Sequence, residues 1–546
     1  MDGKTAIAKI LKMEGVEFLT CFPQNPIMDA AALEGIRPIV TRTERVAAGI
    51  ADGFTRASFG QRNGVCVVQN GPGAENVFAG VAQAFTDSVP VLLMPAGVER
   101  RRISTLPSFS AVKNYQGITK WVDSISFADR VPEMMRRAFT CLRTGRPGPV
   151  MLELPKDVAI EEFDDKLFQY SPIKGWKTAG DPADVKKVAK ALIAAKNPVI
   201  RAGNGVLYAC AWDELRELAE LLQIPVFTTM QGKSAFPENH PLSLGCGGRT
   251  RPKMVIHFLK KADLVFAIGS SCTREGYTTP IPDGKVIMQS TIDERDINKD
   301  YSIEQAIIGD AKLVLRQLID EVKEQIGPEG KKGNGAVVKE VRVVKDEWLK
   351  EWIPKLTSDE IPINPYRVIW ALNNILDKEK SIVIAESGGP RDQSIPFYAP
   401  TVPGGSIGWG KTTTLGGSLG FAMGAKLANP DKLVVNILGD ASIGMVGIDA
   451  ETAVREKIPI LSIVINNSIF GGYARFLPIS TKLYNIDRVG GDYAKVYEGL
   501  GFHAERIEQP DDIIPAIKRA KGLVAAGTSA FLEIIARVDT DLSLYM

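Results

Sequence analysis

Residues 433–468 read LVVNILGDASIGMVGIDAETAVREKIPILSIVINNS. The two apolar runs, LVVNIL and PILSIVI, are each the length of one buried strand. The stretch between them, GIDAETAVREK (447–457), fits a crossover helix, so the segment reads as a strand–helix–strand unit with parallel strands. Each strand ends in small or polar residues: Gly439-Asp440-Ala441-Ser442 after the first and Asn466-Asn467-Ser468 after the second. Asp440 and Asn467 thus fall at the carboxyl ends of parallel strands, where open α/β sheets hold their ligands. An Asp carboxylate, an Asn amide oxygen and a backbone carbonyl at about Ile469 are hard oxygen donors, which suit Mg²⁺ completed by phosphate oxygens and water. Either dipeptide alone would read as a turn closing a strand. Together in this topology they point to a cation and a phosphorylated ligand.

Working outward, similar runs recur along the chain: GVCVVQN, PVLLMPA, GPVMLELP, NPVIRAGNG, IPVFTT, ADLVFAIGS and SIVIAES, separated by helix-length amphipathic stretches. The pattern predicts an α/β protein of three doubly wound parallel-sheet domains, and 546 residues are too many for one core. Composition shifts place an N-terminal domain at 1–165, a middle domain at 184–326, a linker at 327–362 that begins with GPEGKKGNG, and a C-terminal domain at 363–546. Lys plus Arg (66) nearly balances Asp plus Glu (64), so no global field attracts nucleic acid. The six cysteines are scattered without a CxxC pair and read as reduced thiols. The N-terminus lacks the apolar stretch of a signal peptide and no later segment has the length of a membrane span, so a soluble, cytoplasmic protein is expected.

GD followed about two dozen residues later by NN resembles the cofactor signature of thiamine-diphosphate enzymes. The resemblance implies that Asp440, Asn467 and the Ile469 carbonyl bind the metal. It also implies that Ala441, where the family usually has Gly, and Ser442 lie against the diphosphate. Gly388 and Gly389, after the strand SIVIA, would let backbone N–H groups approach that diphosphate. The run LGGSLGFAMGAKLANPDKLVVNILGD from Leu415 is similar to the benzoylformate decarboxylase and acetolactate synthase segment. There Leu415 matches the apolar residue that wedges between the cofactor rings, and Thr413 lies beside it. The family also needs a carboxyl group hydrogen-bonded to the aminopyrimidine ring, to help remove the thiazolium C2 proton. Glu44 matches it, opening the small-residue helix TERVAAGIADGFTRAS, although an isolated Glu at a helix start is ordinarily a surface cap. Downstream, GPGAEN (71–76) and AFTDSVPVLLMPA (84–96) resemble the acetolactate-synthase branch and place Asn76 near the site. The likeness covers essentially the whole chain, so the three domains become pyrimidine-binding, middle and diphosphate-binding.

The resemblance implies a thiamine-diphosphate- and Mg²⁺-dependent lyase or carboligase that acts on a 2-oxo acid or related carbonyl. His240, His257 and His503 fall outside the cofactor motifs, which disfavours a simple decarboxylase. An alternative is a 2-hydroxyacyl-CoA lyase that uses a CoA thioester, with Arg100, Arg101 and Arg102 serving its phosphates or forming only a solvated face. A non-catalytic protein on the same fold is disfavoured by the presence of Glu44 and Asp440. In relatives the middle domain holds FAD, an ADP moiety or nothing; here a lone GNG at 203–205 is a weak dinucleotide signal. Gln24 and Asn25 are candidates either for substrate contact or for a turn, and Phe470 and Tyr473 for shaping the pocket. The end, Leu542–Met546, reads as a lid or as a fraying terminus. The family pattern further implies a homodimer or homotetramer whose sites join Glu44 of one chain to Asp440 of another.

Overall fold

The computed structural model describes every residue except 332, 334 and 546. Those three lie in stretches read above as linker and lid, and those readings do not extend to them. Three six-stranded sheets, parallel throughout, carry the chain. The first contains β1 (Phe18–Cys21), β2 (Arg37–Val40), β3 (Val65–Val68), β4 (Leu92–Gly97), β5 (Trp121–Ser124) and β6 (Val150–Pro155). The second contains β7 (Pro198–Ala202), β8 (Val226–Thr229), β9 (Ser243–Gly247), β10 (Leu264–Ile268), β11 (Val286–Thr291) and β12 (Gln305–Ile308). The third contains β13 (Ser381–Ala385), β14 (Ser406–Ile407), β15 (Leu433–Gly439), β16 (Leu461–Asn466), β17 (His503–Ile507) and β18 (Ala530–Ile535). Their interior strands are almost wholly buried because helices cover both faces.

Strand order fixes where ligands can sit. The first sheet runs β2-β1-β3-β4-β6-β5 and the third β14-β13-β15-β16-β18-β17, the same order in two parts of one chain. The second runs β12-β11-β10-β7-β8-β9, which is the arrangement of dinucleotide-binding sheets. In each sheet the order reverses beside the first strand, between β1 and β3, between β7 and β10, and between β13 and β15, and loops that diverge at such a point leave a crevice at the carboxyl ends.

Helix Glu44–Ala57 of the first unit packs on helix Ser418–Ala428 of the third through glycines. A Cβ on Gly49 would come within 3.3 Å of Gly420 Cα, and one on Gly53 or Gly424 would overlap the backbone of Phe421 or Ile50. So close an approach is open only to residues without a side chain.

The segment read as a linker contributes a 21-residue helix, Ala336–Leu356. Val341, Val344, Trp348, Trp352 and Leu356 form its buried stripe, within a core that joins the middle and C-terminal units. Trp348 stacks on Phe397 with ring centroids 5.0 Å apart and planes at 9°. The chain's end lies along this helix. The Ser543 hydroxyl donates to the Arg251 carbonyl (2.7 Å) and accepts from Trp348 Nε1 (3.3 Å), and the Tyr545 hydroxyl donates to Glu351 (2.6 Å). These bonds pin the tail as a strap between units, which corrects the reading of it as a lid over the site. All six cysteines are free, and burial pushes the thiols of Cys21, Cys66 and Cys246 up to about 12, so they are inert. Among the described residues no helix is long and apolar enough to cross a membrane.

Candidate active site

The glycine-packed helices bring two crevice rims together. Thr43 caps the Glu44 helix, and its hydroxyl donates to Asp449 Oδ2 of the third unit (2.7 Å); the Arg42 N–H donates to Asp449 Oδ1 (2.7 Å). Glu44 is 4 % exposed, and its Oε2 accepts from Asn76 Nδ2 at 3.3 Å. One position on, Arg45 reaches across and donates to the Leu415 carbonyl. The helix start that carries Glu44 is thus fastened to the loop that carries Leu415.

The loop Gly410–Leu415 is held from three sides. Upstream, Asp87 accepts from the N–H groups of Gly410 (3.2 Å) and Lys411 (3.3 Å), and Gln83 Oε1 accepts from the Thr412 hydroxyl (3.0 Å) and the Thr414 N–H (3.2 Å). Downstream, the buried Glu386 carboxylate accepts from the N–H groups of Gly416 (3.1 Å) and Ser418 (3.2 Å) and from the Ser418 hydroxyl (2.9 Å). Burial raises the Glu386 pKa while those donors pull it down. Thr413 is tied in through its carbonyl, which accepts from the Ser387 hydroxyl at 3.0 Å. Leu415 is half-buried.

Asp440 and Gly388 face each other across the switch point of the third sheet, following β15 and β13. Gly388 has φ +91°, which favours glycine, and a Cβ added there would meet nothing within 4 Å. Gly389 and Gly439 are as open, the nearest atom to an added Cβ lying 4.0 Å away in each case. Backbone therefore borders open space on both sides of Asp440.

Asp440 is buried, and desolvation raises its pKa against the pull of backbone donors. Its Oδ1 accepts from the Ala441 N–H (2.8 Å) and its Oδ2 from the Ser468 N–H (2.7 Å). Each oxygen keeps a lone pair for another partner. Asn467 Oδ1 accepts from the Ile469 N–H at 3.2 Å. Ile469 faces Arg488 in an antiparallel bridge whose hydrogen bonds run from the Phe470 N–H to Asp487 and from the Val489 N–H to Ser468. In such a pair Ile469's own N–H and C=O point away from the neighbouring segment, toward the side on which Asn467 accepts. The Ser442 hydroxyl is buried and donates to the Gly439 carbonyl (2.8 Å), so it must rotate to reach a phosphate.

The remaining candidates separate. Asn25 is buried and fully engaged: its amide donates to the carbonyls of Val68 (2.9 Å) and Met94 (3.0 Å), and its Oδ1 accepts from the Ile27 N–H (2.9 Å). It holds a turn, and the substrate-contact alternative for it is withdrawn. Gln24 is exposed. Phe470 and Tyr473 touch edge to face, with centroids 5.9 Å apart, in the segment after Asn467. Arg100 is tied to Asp157 (2.7 Å) and Glu161 (3.2 Å) of its own unit. It is thereby occupied, while Arg101 and Arg102 remain exposed.

A second site, absent from the sequence reading except for its GNG, lies in the middle unit. A cavity of about 500 Å³ opens at the switch point between β7 and β10. Gly203, Gly205 and Gly269 line it in a backbone-to-backbone contact where a Cβ on Gly205 would come within 2.7 Å of Gly269 Cα. Arg201 lines it too; one of its terminal nitrogens donates to the Thr279 carbonyl (3.3 Å), while its buried Nε has no hydrogen-bond partner among the described residues.

Three family models cover this architecture in order. The N-terminal TPP binding domain of thiamine pyrophosphate enzymes matches residues 1–125, their central domain 185–318, and their C-terminal TPP binding domain 392–534. The chain is 33% identical to a probable acetolactate synthase large subunit of Methanococcus aeolicus, over 95% of this chain and 90% of that protein. The chain belongs to the thiamine pyrophosphate enzymes. It is also 34% identical to a probable acetolactate synthase large subunit of Methanocaldococcus jannaschii, over 95% and 90%. With a glyoxylate carboligase of Escherichia coli O157:H7 the identity is 29%, over 100% of this chain and 94% of that one.

The residues present fit the group this family binds, thiamine diphosphate (thiamine pyrophosphate). The crevice offers open backbone at Gly388, Gly389 and Gly439, and the first unit supplies a buried carboxyl at Glu44. A cation is needed to bring a diphosphate beside Asp440. Among the described residues no three His, Cys, Asp or Glu side chains cluster to hold one. The oxygen set of Asp440, Asn467 and Ile469, completed by the phosphates, suits Mg²⁺ rather than a softer metal.

Proposed function

We propose that this protein is a thiamine-diphosphate- and Mg²⁺-dependent carboligase that joins 2-oxo acid substrates. The observation that carries this reading is the buried Glu44 at a helix start fastened through Arg45 to the Leu415 loop, in a chain that also brings Asp440 to the Ser468 N–H beside Asn467 at the switch point of the third sheet. The likeness to acetolactate synthase large subunits and glyoxylate carboligase supports the carboligase type.

When bound, the cofactor supplies a ring that accepts the electron pair released as a bond next to a carbonyl breaks. The residues supply the rest. Asp440, Asn467 and the Ile469 carbonyl would hold the cation, and N–H groups at Gly388 and Gly389 would meet the diphosphate. Leu415, fixed through its carbonyl by Arg45, would support the cofactor rings. Glu44, its carboxyl oriented by Asn76, would hydrogen-bond the pyrimidine ring and assist removal of the thiazolium C2 proton. No imidazole stands by to finish a simple decarboxylation: His240, His257 and His503 bond Glu220, Glu340 and Glu505 outside the crevice. A second carbonyl compound is then the more accessible acceptor.

The middle cavity takes an ADP-containing ligand on this reading. Support comes from its place at the switch point of a dinucleotide-type sheet, its glycines and the unpaired Arg201 Nε. The active assembly is a cytoplasmic homodimer or homotetramer with shared sites.

Incubation with ¹³C-labelled 2-oxo acids, thiamine diphosphate and Mg²⁺, followed by NMR, tests the activity. A product with a new carbon–carbon bond is expected. Aldehyde alone would make the protein a decarboxylase, and cleavage of a 2-hydroxyacyl-CoA to formyl-CoA would make it a lyase of CoA thioesters.

A further inference from the structure

Nine residues after Asp440, the same segment of the third unit carries a second buried carboxylate, Asp449, which is 1 % exposed. The short helix Asp440–Val446 and the turn Gly447–Asp449 join the two. Asp449 reaches out of its own unit. Its Oδ1 accepts from the Arg42 N–H (2.7 Å) and the Thr452 hydroxyl (3.1 Å), and its Oδ2 accepts from the Thr43 hydroxyl (2.7 Å). The Thr43 Oγ also accepts from the Val46 N–H (3.4 Å), so the hydroxyl that caps the Glu44 helix is the one that Asp449 holds. Nearby, Arg42 pairs with Glu451 (3.1 Å) and Arg37 with Glu456 (2.6 Å), but these pairs are exposed and contribute little. Asp449 is shut off from water, where bonds to a charged acceptor are at their strongest. Among the described residues the Glu44 carboxyl itself receives only the 3.3 Å bond from Asn76, so its aim is set mainly by where its helix begins.

We propose that Asp449 is a positioning residue for Glu44: by gripping the Arg42 N–H and the Thr43 hydroxyl it fixes the start of the Glu44 helix, and with it the aim of the Glu44 carboxyl at the pyrimidine ring of the cofactor. This rests on the reading of Glu44 as the carboxyl that helps to remove the thiazolium C2 proton. The grip calls for a carboxylate. Three donors converge on its two oxygens, whereas an amide would turn an N–H toward either the Arg42 N–H or the Thr43 hydroxyl. Without the grip the first turn loses this anchor, while the glycine contacts at Gly49 and Gly53, more than a turn further on, keep the rest of the helix in place. The bonds are made within one chain, so Asp449 travels with its own Glu44 in any assembly.

A double-mutant cycle on the full chain tests this, read by exchange of the C2 proton under saturating thiamine diphosphate and Mg²⁺ and by amide hydrogen exchange of the cofactor-free protein. Asp449→Ala should slow C2 exchange roughly 10- to 100-fold, the scale of a misplacement of about 1 Å, with the cofactor Kd near that of the unmutated protein. Because it acts through Glu44, it should slow exchange no further in the Glu44→Gln background, whereas a residue that merely kept the site folded would add its loss there too. In the cofactor-free chain, amide exchange over residues 42–47 should quicken in Asp449→Ala while that over 50–57 does not. Thr43→Val, which takes away the gripped hydroxyl and leaves the carboxylate, supplies the same test should Asp449→Ala fail to fold, and Thr43→Ser should recover the rate that Thr43→Val loses. C2 exchange at the unmutated rate in Asp449→Ala and Thr43→Val, or equal slowing by Asp449→Ala with and without Glu44→Gln, would overturn the positioning role and leave that of Glu44 standing. Unmutated exchange in Glu44→Gln alone would overturn the reading of Glu44 and the positioning role with it.

Discussion

Replacing Gly424 by Ala probes the contact on which the site is built. A Cβ there would lie 2.5 Å from Phe54 N and overlap the Ile50 carbonyl. That is roughly 1 Å inside ordinary van der Waals contact, and the obstacles are backbone atoms that no rotamer change can move. The helix that begins at Glu44 and the helix that follows the Leu415 loop must therefore separate by about 1 Å. Overpacking of this kind costs about 1–3 kcal/mol, which lowers the unfolding midpoint by roughly 2–10 °C for a unit of this size. The functional loss should exceed the loss of stability. A shift of about 1 Å between the Glu44 carboxyl and the cofactor rings can lower kcat by as much as ~100-fold, while the cation ligands at Asp440 and Asn467, further along the third unit, stay in place. Differential scanning calorimetry, cofactor titration and steady-state turnover on the same preparation separate these effects. Gly522→Ala is the control, since a Cβ there meets nothing within 4 Å in a helix interior, and it should leave turnover unchanged. A Gly424→Ala protein with the control's midpoint and turnover would refute the claim that this helix pair sets the geometry of the site.

Three further outcomes follow from the same geometry. Asp440→Ala, like EDTA treatment of the unmutated protein, should abolish measurable thiamine-diphosphate binding in calorimetry, and unchanged affinity would remove the cation assignment. Lys411 lines the middle cavity, and ADP affinity should fall as pH rises through about 8, where its ammonium, near Arg146, Lys299, Asp296 and Asp87, loses its proton; titrations between pH 7.5 and 9.5 that show no such fall would exclude a charge role for Lys411. Co-expressed Glu44→Ala and Asp440→Ala chains should recover about a quarter of the sites if copies pair at random and share them, and absence of recovery despite mixed dimers in mass spectrometry would place each site within one chain.

The sequence carried the sheets well, because they are local, and it placed Asp440 and Asn467 at the ends of neighbouring strands for the same reason. A run such as LVVNIL followed by Gly439-Asp440 specifies a buried strand and what leaves its end, and the strand–helix–strand spacing puts Asn467 beside it. Glu44 was readable only through the resemblance, since nothing adjacent to it shows that its helix is covered by a second one. The residues that hold the Leu415 loop escaped for the same reason. Asp87 sits in the quoted DSVP stretch and Glu386 in ESGG, but their partners lie hundreds of residues or several turns of chain away, and a carboxylate that gathers backbone donors has no sequence mark. The helix 336–356 was read as linker because charged residues surround its stripe of Val341, Val344, Trp348 and Trp352 and glycines precede it. Its covering partner, the chain's end, is remote in sequence, so the tail's own role as a strap was hidden as well. The middle cavity became visible only from strand order, which turns a weak GNG into a residue pair at a switch point. Arg100 looked available because its partners Asp157 and Glu161 lie more than fifty residues downstream.

The central claim is that the Glu44 carboxyl activates a cofactor held across the crevice by Asp440 and Asn467. Exchange of the thiamine-diphosphate C2 proton for deuterium on the bound cofactor, followed by quenched-flow NMR, reads that step without any substrate. The account predicts that Glu44→Gln binds the cofactor with near-normal affinity and slows the exchange by roughly two to four orders of magnitude; exchange at the unmutated rate with the cofactor fully bound would contradict it.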